Sequence, residues 1–256
     1  MVAQKIEQEN ELFKSRQLKN IALVTFKTVS MEWLSSLEKK EKLLSYFDML
    51  SDNSSIKSVI LRSPNNSLDK KGFFEQFEAW SNAKIYNDTI LRIFRAFDQI
   101  ILRIVGSDKL FVSAQSGKVI FPFFGLSLAC DHRIVADNFM VQNPESMVGL
   151  APKGAAAFFL TRAIGSSKSM ELLLAKKDIG AYELLRLKLV DSVAPFNKLR
   201  HTALETAKNL CSHSLTTLAG VKRLVNYSMR ELANYLEYED DEIFRTLSKL
   251  KQNKRA

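Results

Sequence analysis

Cysteine and histidine are scarce in this chain of 256 residues, which contains two cysteines and three histidines. Cys130 and Cys211 lie far apart and lack C-x-x-C spacing, and the histidines form no cluster with them. This pattern excludes a disulfide-stapled scaffold and a recognisable metal site. We therefore expect a reduced, cytoplasmic setting, in which Cys130, within an apolar run, is a small core residue.

Long hydrophobic runs are also missing, since no apolar stretch approaches the roughly 20 residues that cross a bilayer. The chain is polar and of mixed charge through Asn20, so no signal peptide is predicted. No G-x-G-x-x-G or P-loop motif is present, and neither Ser113 nor Ser127 belongs to a recognisable Ser-His-Asp arrangement. We expect no membrane insertion, no nucleotide cofactor and no serine nucleophile.

Acidic residues are fewer than basic ones: the chain has 28 Asp and Glu and 37 Lys and Arg, which gives a net charge of +9. A basic surface attracts phosphates, nucleic acid or anionic membrane, although a solvated surface is the simpler explanation. The most basic segment, residues 249–255, has no aromatic residue on which a single-strand binder would stack bases. Nucleic acid is therefore a disfavoured partner.

Hydrophobic residues make up 46% of the chain, which is enough for one large core. Apolar runs predict strands at 21–26, 58–61 and 110–113. Helical periodicity predicts helices at 33–50, at 88–105 with Asp88 as cap, and at 122–130 with Pro122 in the first turn. Further helices are predicted at 155–164, 168–174, 181–187, 199–212 and 217–236, and the end from 237 is a helix or partly frayed. The pattern predicts an α/β core over 1–195 and a helical region over 196–256.

The segment from Gly117 to Gly165 carries the densest set of motifs. Its pieces are Cys130-Asp131, Arg133-Ile134-Val135-Ala136-Asp137, Asn143-Pro144-Glu145, Gly149-Leu150, Pro152, Arg162 and Gly165. This set resembles the signature region of the crotonase superfamily, the enoyl-CoA hydratases and isomerases. The resemblance implies a spiral of β-β-α turns, C-terminal helices that mediate trimerisation, assembly as trimers or pairs of trimers, and an acyl-CoA thioester as ligand without a separate cofactor.

The resemblance also implies where protons are moved. The family offers two carboxylate positions, and counting from Cys130-Asp131 places the first on Gly125 and the second on Glu145. A lone carboxylate suits removal of an α-proton and its return at the γ-carbon, and is less suited to activating water while protonating carbon. The pattern favours isomerase-like chemistry at Glu145 over hydration, with a structural role for Glu145 as the alternative.

An oxyanion hole of two N–H donors is implied as well, and here the chain departs from the family. An ungapped alignment places the first donor at Gly72 and the second at Pro122, which has no N–H. A shift of one residue makes Phe123 the second donor. Losing one donor costs about 3 to 4 kcal/mol of barrier, so we expect weak or altered activity. The alternative is a catalytically silent homologue that binds CoA thioesters or serves as a structural oligomer.

The resemblance suggests acyl-CoA contacts around the same segments. Lys70 and Lys71 flank Gly72 and are candidates for the CoA phosphates, as is Lys153, which replaces a family glycine. The phenylalanines that border the implied thioester site are Phe73, Phe74, Phe121, Phe123 and Phe124. They either narrow an acyl tunnel or fill the core, and the pattern favours a filled core.

Overall fold

The computed structural model describes residues 5–27, 36–64, 68–82 and 87–253, without the side chains of 79–82, 87–89 and 251–253. Within these ranges, seven strands form one sheet. In spatial order they are β1 (Gln8–Glu9), β2 (Phe13–Leu18), β3 (Ile21–Phe26), β4 (Ser58–Arg62), β5 (Leu110–Gln115), β7 (His132–Ala136) and β10 (Ser192–Ala194). A smaller sheet contains β6 (Lys118–Ile120), β8 (Met140–Gln142) and β9 (Ile179–Gly180), with β8 in the middle.

Ten helices surround the sheets within these ranges. They are α1 (Leu37–Asp52), α2 (Lys70–Asn82), α3 (Asn87–Gly106), α4 (Phe121–Leu128), α5 (Pro144–Met147), α6 (Ala156–Leu174), α7 (Ala181–Arg186), α8 (Leu199–Leu210), α9 (Leu215–Val225) and α10 (Leu232–Asn253). Short 3-10 turns lie at Phe196–Lys198 and Asn226–Met229. None of the described helices is long and apolar enough to span a membrane.

The central parallel strands of the large sheet are buried on both faces, and this explains their sequences. Strands β3, β4, β5, β7 and β10 pair in parallel. In β4, Val59 and Leu61 join the core that contains α1, α3 and α4, whereas Ile60 joins the core beneath α8. Because side chains alternate between the faces, a strand covered on both sides is a continuous apolar run. The α/β fold expected from the sequence is confirmed.

The strand predicted at 21–26 is confirmed with its bounds, and the other two predicted strands are longer than expected by one and two residues. Ser36 caps α1 by accepting a hydrogen bond from the Lys39 N–H, while residues 33–35 of that predicted helix lie outside the described residues. Helix α3 begins at Asn87, and the side chain of the predicted cap Asp88 is likewise not described. The sequence signals missed β1 and β2, and also the short strands β6 to β10, which are at most five residues long.

The prediction of a single helix over 217–236 is wrong. The chain forms α9, then the turn at Asn226–Met229, and then α10. The side-chain amide of Asn226 donates to the Val105 carbonyl (3.0 Å), so the chain is anchored on the core at this break. The mixed-charge segment from 237 continues α10 through Asn253. Gly165, with φ of +77°, interrupts α6 between the two helices that were predicted.

Two lysine side chains fasten the C-terminal helices to the core. Lys222 of α9 is 4% exposed, and its ammonium donates to the carbonyls of Ile104 (2.9 Å) and Lys109 (2.8 Å) and to Asp131 (2.8 Å). Lys57, just before β4, donates to the His213 carbonyl (2.8 Å) between α8 and α9. An ammonium has three donors, so one lysine satisfies several carbonyls that burial would otherwise leave unpaired.

The loop before α6 packs main chain to main chain on α4. A Cβ atom added to Gly125 would overlap the carbonyl oxygen of Gly154, and one added to Gly154 would lie 2.6 Å from the carbonyl oxygen of Pro122. Gly154 also has φ of +83°, a conformation that side chains other than glycine rarely adopt. Both glycines are therefore required by this contact.

The same loop is held by a buried ion cluster. The Lys153 ammonium lies 2.6 Å from Asp98 of α3 and 3.0 and 2.8 Å from Glu239 and Asp240 of α10. Burial opposes the charged form of Lys153, but the carboxylates outweigh burial and raise its pKa. Burial raises the pKa of Asp98 to about 7, against the attraction of Lys153. One cation is shared by three carboxylates, and burial also raises the pKa of Glu239.

We expect Gly125→Ala to lower the free energy of unfolding by about 1 to 3 kcal/mol, because the new methyl group forces α4 and the loop apart. Gly220→Ala is the matched control, since Gly220 is also helical and has open space around its Cβ position. The control is expected to be stabilising by up to about 1 kcal/mol. Urea unfolding of both variants measures the effect, and equal stability of the two would contradict the contact.

We expect Asp98→Asn and Lys153→Met to act in opposite directions. The folded pKa of Asp98 is above its ordinary value, so the charged carboxylate costs stability as pH rises from about 4 through about 7. Asp98→Asn removes that cost and raises the free energy of unfolding at pH 8 relative to the unmodified protein. Lys153→Met leaves buried carboxylates unpaired and lowers it by about 3 to 5 kcal/mol. Denaturant titrations at pH 5 and pH 8 test both signs.

Candidate functional site

The side chain of Glu145 is enclosed in the protein at the start of α5. Glu145 is 3% exposed, and neither carboxyl oxygen has a hydrogen-bond partner among the described residues. Burial raises the pKa of Glu145 to about 8, and a smaller, opposing effect comes from its own main chain. The carboxyl group therefore holds its proton more tightly than an ordinary glutamate, and its ionised form is a stronger base than an ordinary carboxylate.

Asn143 fixes the short helix that carries Glu145. Its side-chain oxygen accepts from the Ser146 N–H (3.4 Å), which caps α5. Its side-chain nitrogen donates to the carbonyls of Leu173 (2.7 Å) and Ala175 (3.2 Å) at the end of α6. A four-residue helix has little stability of its own, so these contacts set where Glu145 is placed.

Lys70, a predicted phosphate contact, is tied to other residues of the chain. Its main-chain N–H donates to the Gln142 side-chain oxygen (2.8 Å), and its ammonium lies 3.7 Å from Asp178. Lys71 is exposed and lies 3.9 Å from Glu75 on the next turn of α2. Their predicted role as phosphate contacts remains a prediction, with Lys71 the more accessible of the two. Lys153, in contrast, was predicted wrongly, because its buried ammonium is enclosed by carboxylates.

The predicted first oxyanion donor, Gly72, lies in the first turn of α2. Its N–H donates to the Asp69 carboxylate (3.0 Å), which caps the helix. The Gly72 N–H is therefore already engaged, and its predicted role requires Asp69 to release it. Phe73, on the next position, is 3% exposed and stacks on Phe77 at 6.0 Å between ring centroids.

The predicted second donor, Phe123, lies in the first turn of α4, directly after Pro122. The first four N–H groups of an α-helix have no acceptor within the helix, and their dipoles favour negative charge there. The ring of Phe123 packs on that of Phe97, with 5.1 Å between the ring centroids, and the rings of Phe121 and Phe124 pack with 6.4 Å between theirs. Of the five phenylalanines that border the implied thioester site, all except Phe74 are almost fully buried, in keeping with a filled core.

A small apolar cavity of about 50 Å³ lies against α4, between α1, α3 and the ends of β4 and β5. Phe123, Phe47, Ile100 and Ser127 are among its lining residues, and Glu145 is not. A second, open cleft of about 670 Å³ lies between α4, α8 and α9. The described residues thus place Glu145 beside α2 rather than in either cavity. They contain no group of His, Cys, Asp and Glu that could hold a metal ion.

Sequence reasoning missed Asp69, Gln142 and Asp178. Asp69 precedes the first helical residue, and an aspartate in that position is a recognised helix-start signal. Gln142 and Asp178 are 36 residues apart and meet only in the fold, where the Gln142 amide nitrogen donates to Asp178 (2.7 Å). Nothing in the local sequence pattern reports that second contact.

Comparison with known proteins identifies relatives of this chain. It is 26% identical over 180 residues to a probable mitochondrial enoyl-CoA hydratase of Dictyostelium discoideum, a match covering 70% of this chain and 62% of that protein. It is 31% identical over 137 residues to a probable enoyl-CoA hydratase of Rhizobium meliloti, covering 53% of each. These matches span less than two thirds of the relatives' own lengths.

Solved structures show the same fold. An enoyl-CoA hydratase from Bacillus halodurans superposes with a TM-score of 0.78 at 21% identity, covering 94% of this chain and 98% of that one. One from Polaromonas sp. JS666 gives 0.73 at 23%, covering 89% of each. The family model for enoyl-CoA hydratase/isomerase matches residues 16–255. With nearly the whole chain matched, this protein belongs to the enoyl-CoA hydratase/isomerase family.

Proposed function

We propose that this protein handles acyl-CoA thioesters and shifts a carbon–carbon double bond, with Glu145 as the only proton-transfer group. The observation that carries the proposal is the buried, unpartnered carboxyl group of Glu145, with its pKa raised to about 8. Strongly shifted carboxyl groups that have no structural partner are candidates for general acid–base catalysis.

The contact between Gly125 and Gly154 supports isomerisation over hydration. The carbonyl of Gly154 occupies the space that any side chain at position 125 would need. A second carboxylate on this turn of α4 is therefore excluded by the packing as well as by the sequence. The relatives named above are described as hydratases, and we propose that this chain has lost the group that would assist water.

The proposed reaction uses one carboxylate twice. Ionised Glu145 takes a proton from the α-carbon of a 3-enoyl thioester, and the C–H electron pair becomes part of a dienolate. The same carboxyl group then returns the proton to the γ-carbon, which leaves the double bond between the α- and β-carbons. Negative charge accumulates on the thioester oxygen, for which we propose the Phe123 N–H, and the Gly72 N–H when Asp69 releases it.

A silent acyl-CoA binder is the second candidate, and the state of the oxyanion donors favours it. Pro122 has no N–H to donate, and the Gly72 N–H is used by Asp69. In this case Lys71, Phe73 and Phe121 would contribute to binding without turnover.

We also propose assembly as trimers or pairs of trimers in a reduced cytoplasmic setting. Exposed apolar side chains on α9 support assembly, because Leu224 and Val225 are 77% and 68% exposed. Contiguous apolar surface of this kind marks contact regions between proteins. Cys130 and Cys211 are both free and buried, which supports the reduced setting.

We expect Glu145→Gln to abolish migration of the double bond in a short 3-enoyl-CoA while leaving its dissociation constant within about threefold. The amide keeps the shape of the side chain and cannot exchange the proton. Glu205→Gln, on the exposed surface of α8, is the control and is expected to keep full activity. Ultraviolet detection of the conjugated product and calorimetry provide the two measurements. Equal turnover by Glu145→Gln and the unmodified protein would exclude Glu145 as the base.

We expect the stability of the folded protein to fall as pH rises from about 5 to above 8 because of Glu145. Its pKa is higher in the folded chain than in the unfolded chain, so the folded state binds this proton more tightly. Each tenfold difference in proton affinity between the two states corresponds to roughly 1.4 kcal/mol. Glu145→Gln is expected to remove this component and to be the more stable protein above pH 8. Denaturant unfolding between pH 5 and pH 9 measures it, and parallel profiles would contradict the assigned burial.

A further inference from the structure

We propose that Gln142 is a positioning residue for Glu145, and that its side-chain amide holds α2 as a cover over the helix that carries Glu145. The inference deepens the proposed function, because it concerns the same carboxyl group. It rests on the contacts of Gln142, a 5% exposed residue at the end of β8, three positions before Glu145.

The side-chain amide of Gln142 joins the start of α2 to the segment before β9. Its oxygen accepts from the Lys70 N–H (2.8 Å) at the start of α2, and its nitrogen donates to Asp178 (2.7 Å) before β9. Only one orientation of the amide satisfies both partners, since a flip would place NH₂ against N–H and oxygen against carboxylate. The Lys70 ammonium, 3.7 Å from Asp178, closes the ring of contacts.

These contacts determine where α2 begins. The N–H of Lys70 is one of the four at a helix start that have no acceptor within the helix. Gln142 supplies the acceptor from a strand of the small sheet, so the helix is fixed to that sheet at its first residue. A hydrogen bond to a carboxylate is stronger than a hydrogen bond between two neutral groups. The partly buried bond to Asp178 therefore reinforces the orientation of the Gln142 amide.

A second attachment also precedes Glu145 in the chain. Asn143, the neighbour of Gln142, attaches the same segment to the end of α6. Helix α2 packs against α5, which carries Glu145. The burial that raises the pKa of Glu145 therefore depends on α2 staying in place. If the Gln142 contacts are lost, water reaches the carboxyl group and its pKa falls toward the ordinary value for glutamate.

The test uses an exchange of chemical groups between two positions. Gln142→Glu keeps an acceptor for the Lys70 N–H but sets a carboxylate against Asp178. The double variant Gln142→Glu, Asp178→Asn restores a donor opposite an acceptor. Gln142→Leu removes both hydrogen bonds without adding charge, and Gln17→Leu, at a partly exposed amide position in β2, is the control.

The titration of Glu145 is read as the difference in unfolding free energy between each variant and the same variant carrying Glu145→Gln, across pH 5 to 9. We expect the midpoint to fall by at least about one pH unit in Gln142→Leu, which removes both hydrogen bonds and adds no charge. In Gln142→Glu the added negative charge opposes that fall, so its midpoint is expected above that of Gln142→Leu. The double variant, which restores the contacts beside the added carboxylate, is expected to stay near pH 8 or to rise. A uniform loss of stability, with the midpoint unchanged, would show a merely structural role and overturn the proposal.

Turnover provides a second, separate readout. We expect kcat to fall roughly a hundredfold in Gln142→Leu with KM nearly unchanged, because misplacement of a reacting group by about 1 Å has an effect of this size. If the unmodified protein turns over no enoyl-CoA, the isomerase function fails, yet the pH midpoint still decides the role of Gln142. If Gln142→Glu does not fold, Gln142→Leu and the double variant carry the comparison.

Discussion

A single buried ammonium group connects three parts of this chain. Lys153 lies among the carboxylates of Asp98 on α3 and of Glu239 and Asp240 on α10. Glu239 also accepts from the N–H groups of Gly154 and Ala155 (3.1 and 2.9 Å). The C-terminal helix therefore places the loop before α6, and that loop in turn covers α4. This one ion cluster therefore sets the surroundings of α4, the helix that carries Phe123.

The buried carboxyl groups around Lys153 and the buried carboxyl group of Glu145 have different surroundings. Asp98 and Glu239 share the Lys153 cation, so their carboxyl groups join α3 and α10 to the loop before α6. Glu145 has no cation and no hydrogen-bond partner within the described residues, and burial alone raises its pKa. A buried carboxylate with no structural partner lowers the stability of the fold when it is charged, and carboxyl groups with strongly shifted pKa values cluster at functional sites.

The sequence predicted the fold class, three strands and most helices, because apolar runs and helical periodicity report local structure. Glu145 and Phe123 were identified from their positions relative to motifs that resemble those of the family. The burial of the phenylalanines was expected because their side chains are apolar. The engagement of Gly72 by Asp69 lies within four residues and was readable as a cap. The burial of Lys153 was not readable, since its partners are 55 and more than 80 residues away in the chain. Long-range ion pairs leave no periodic trace in a single sequence.

The main-chain contact of Gly125 with Gly154 has a consequence for how this protein can change over evolutionary time. Neither position accepts a side chain while the other is in place, because each would meet a carbonyl oxygen. A side chain at position 125 would require the loop before α6 to move, and with it the ion cluster that α10 completes. The two glycines, the loop and the ion cluster are therefore constrained as one unit, and a substitution at either glycine would be tolerated only together with changes in the others.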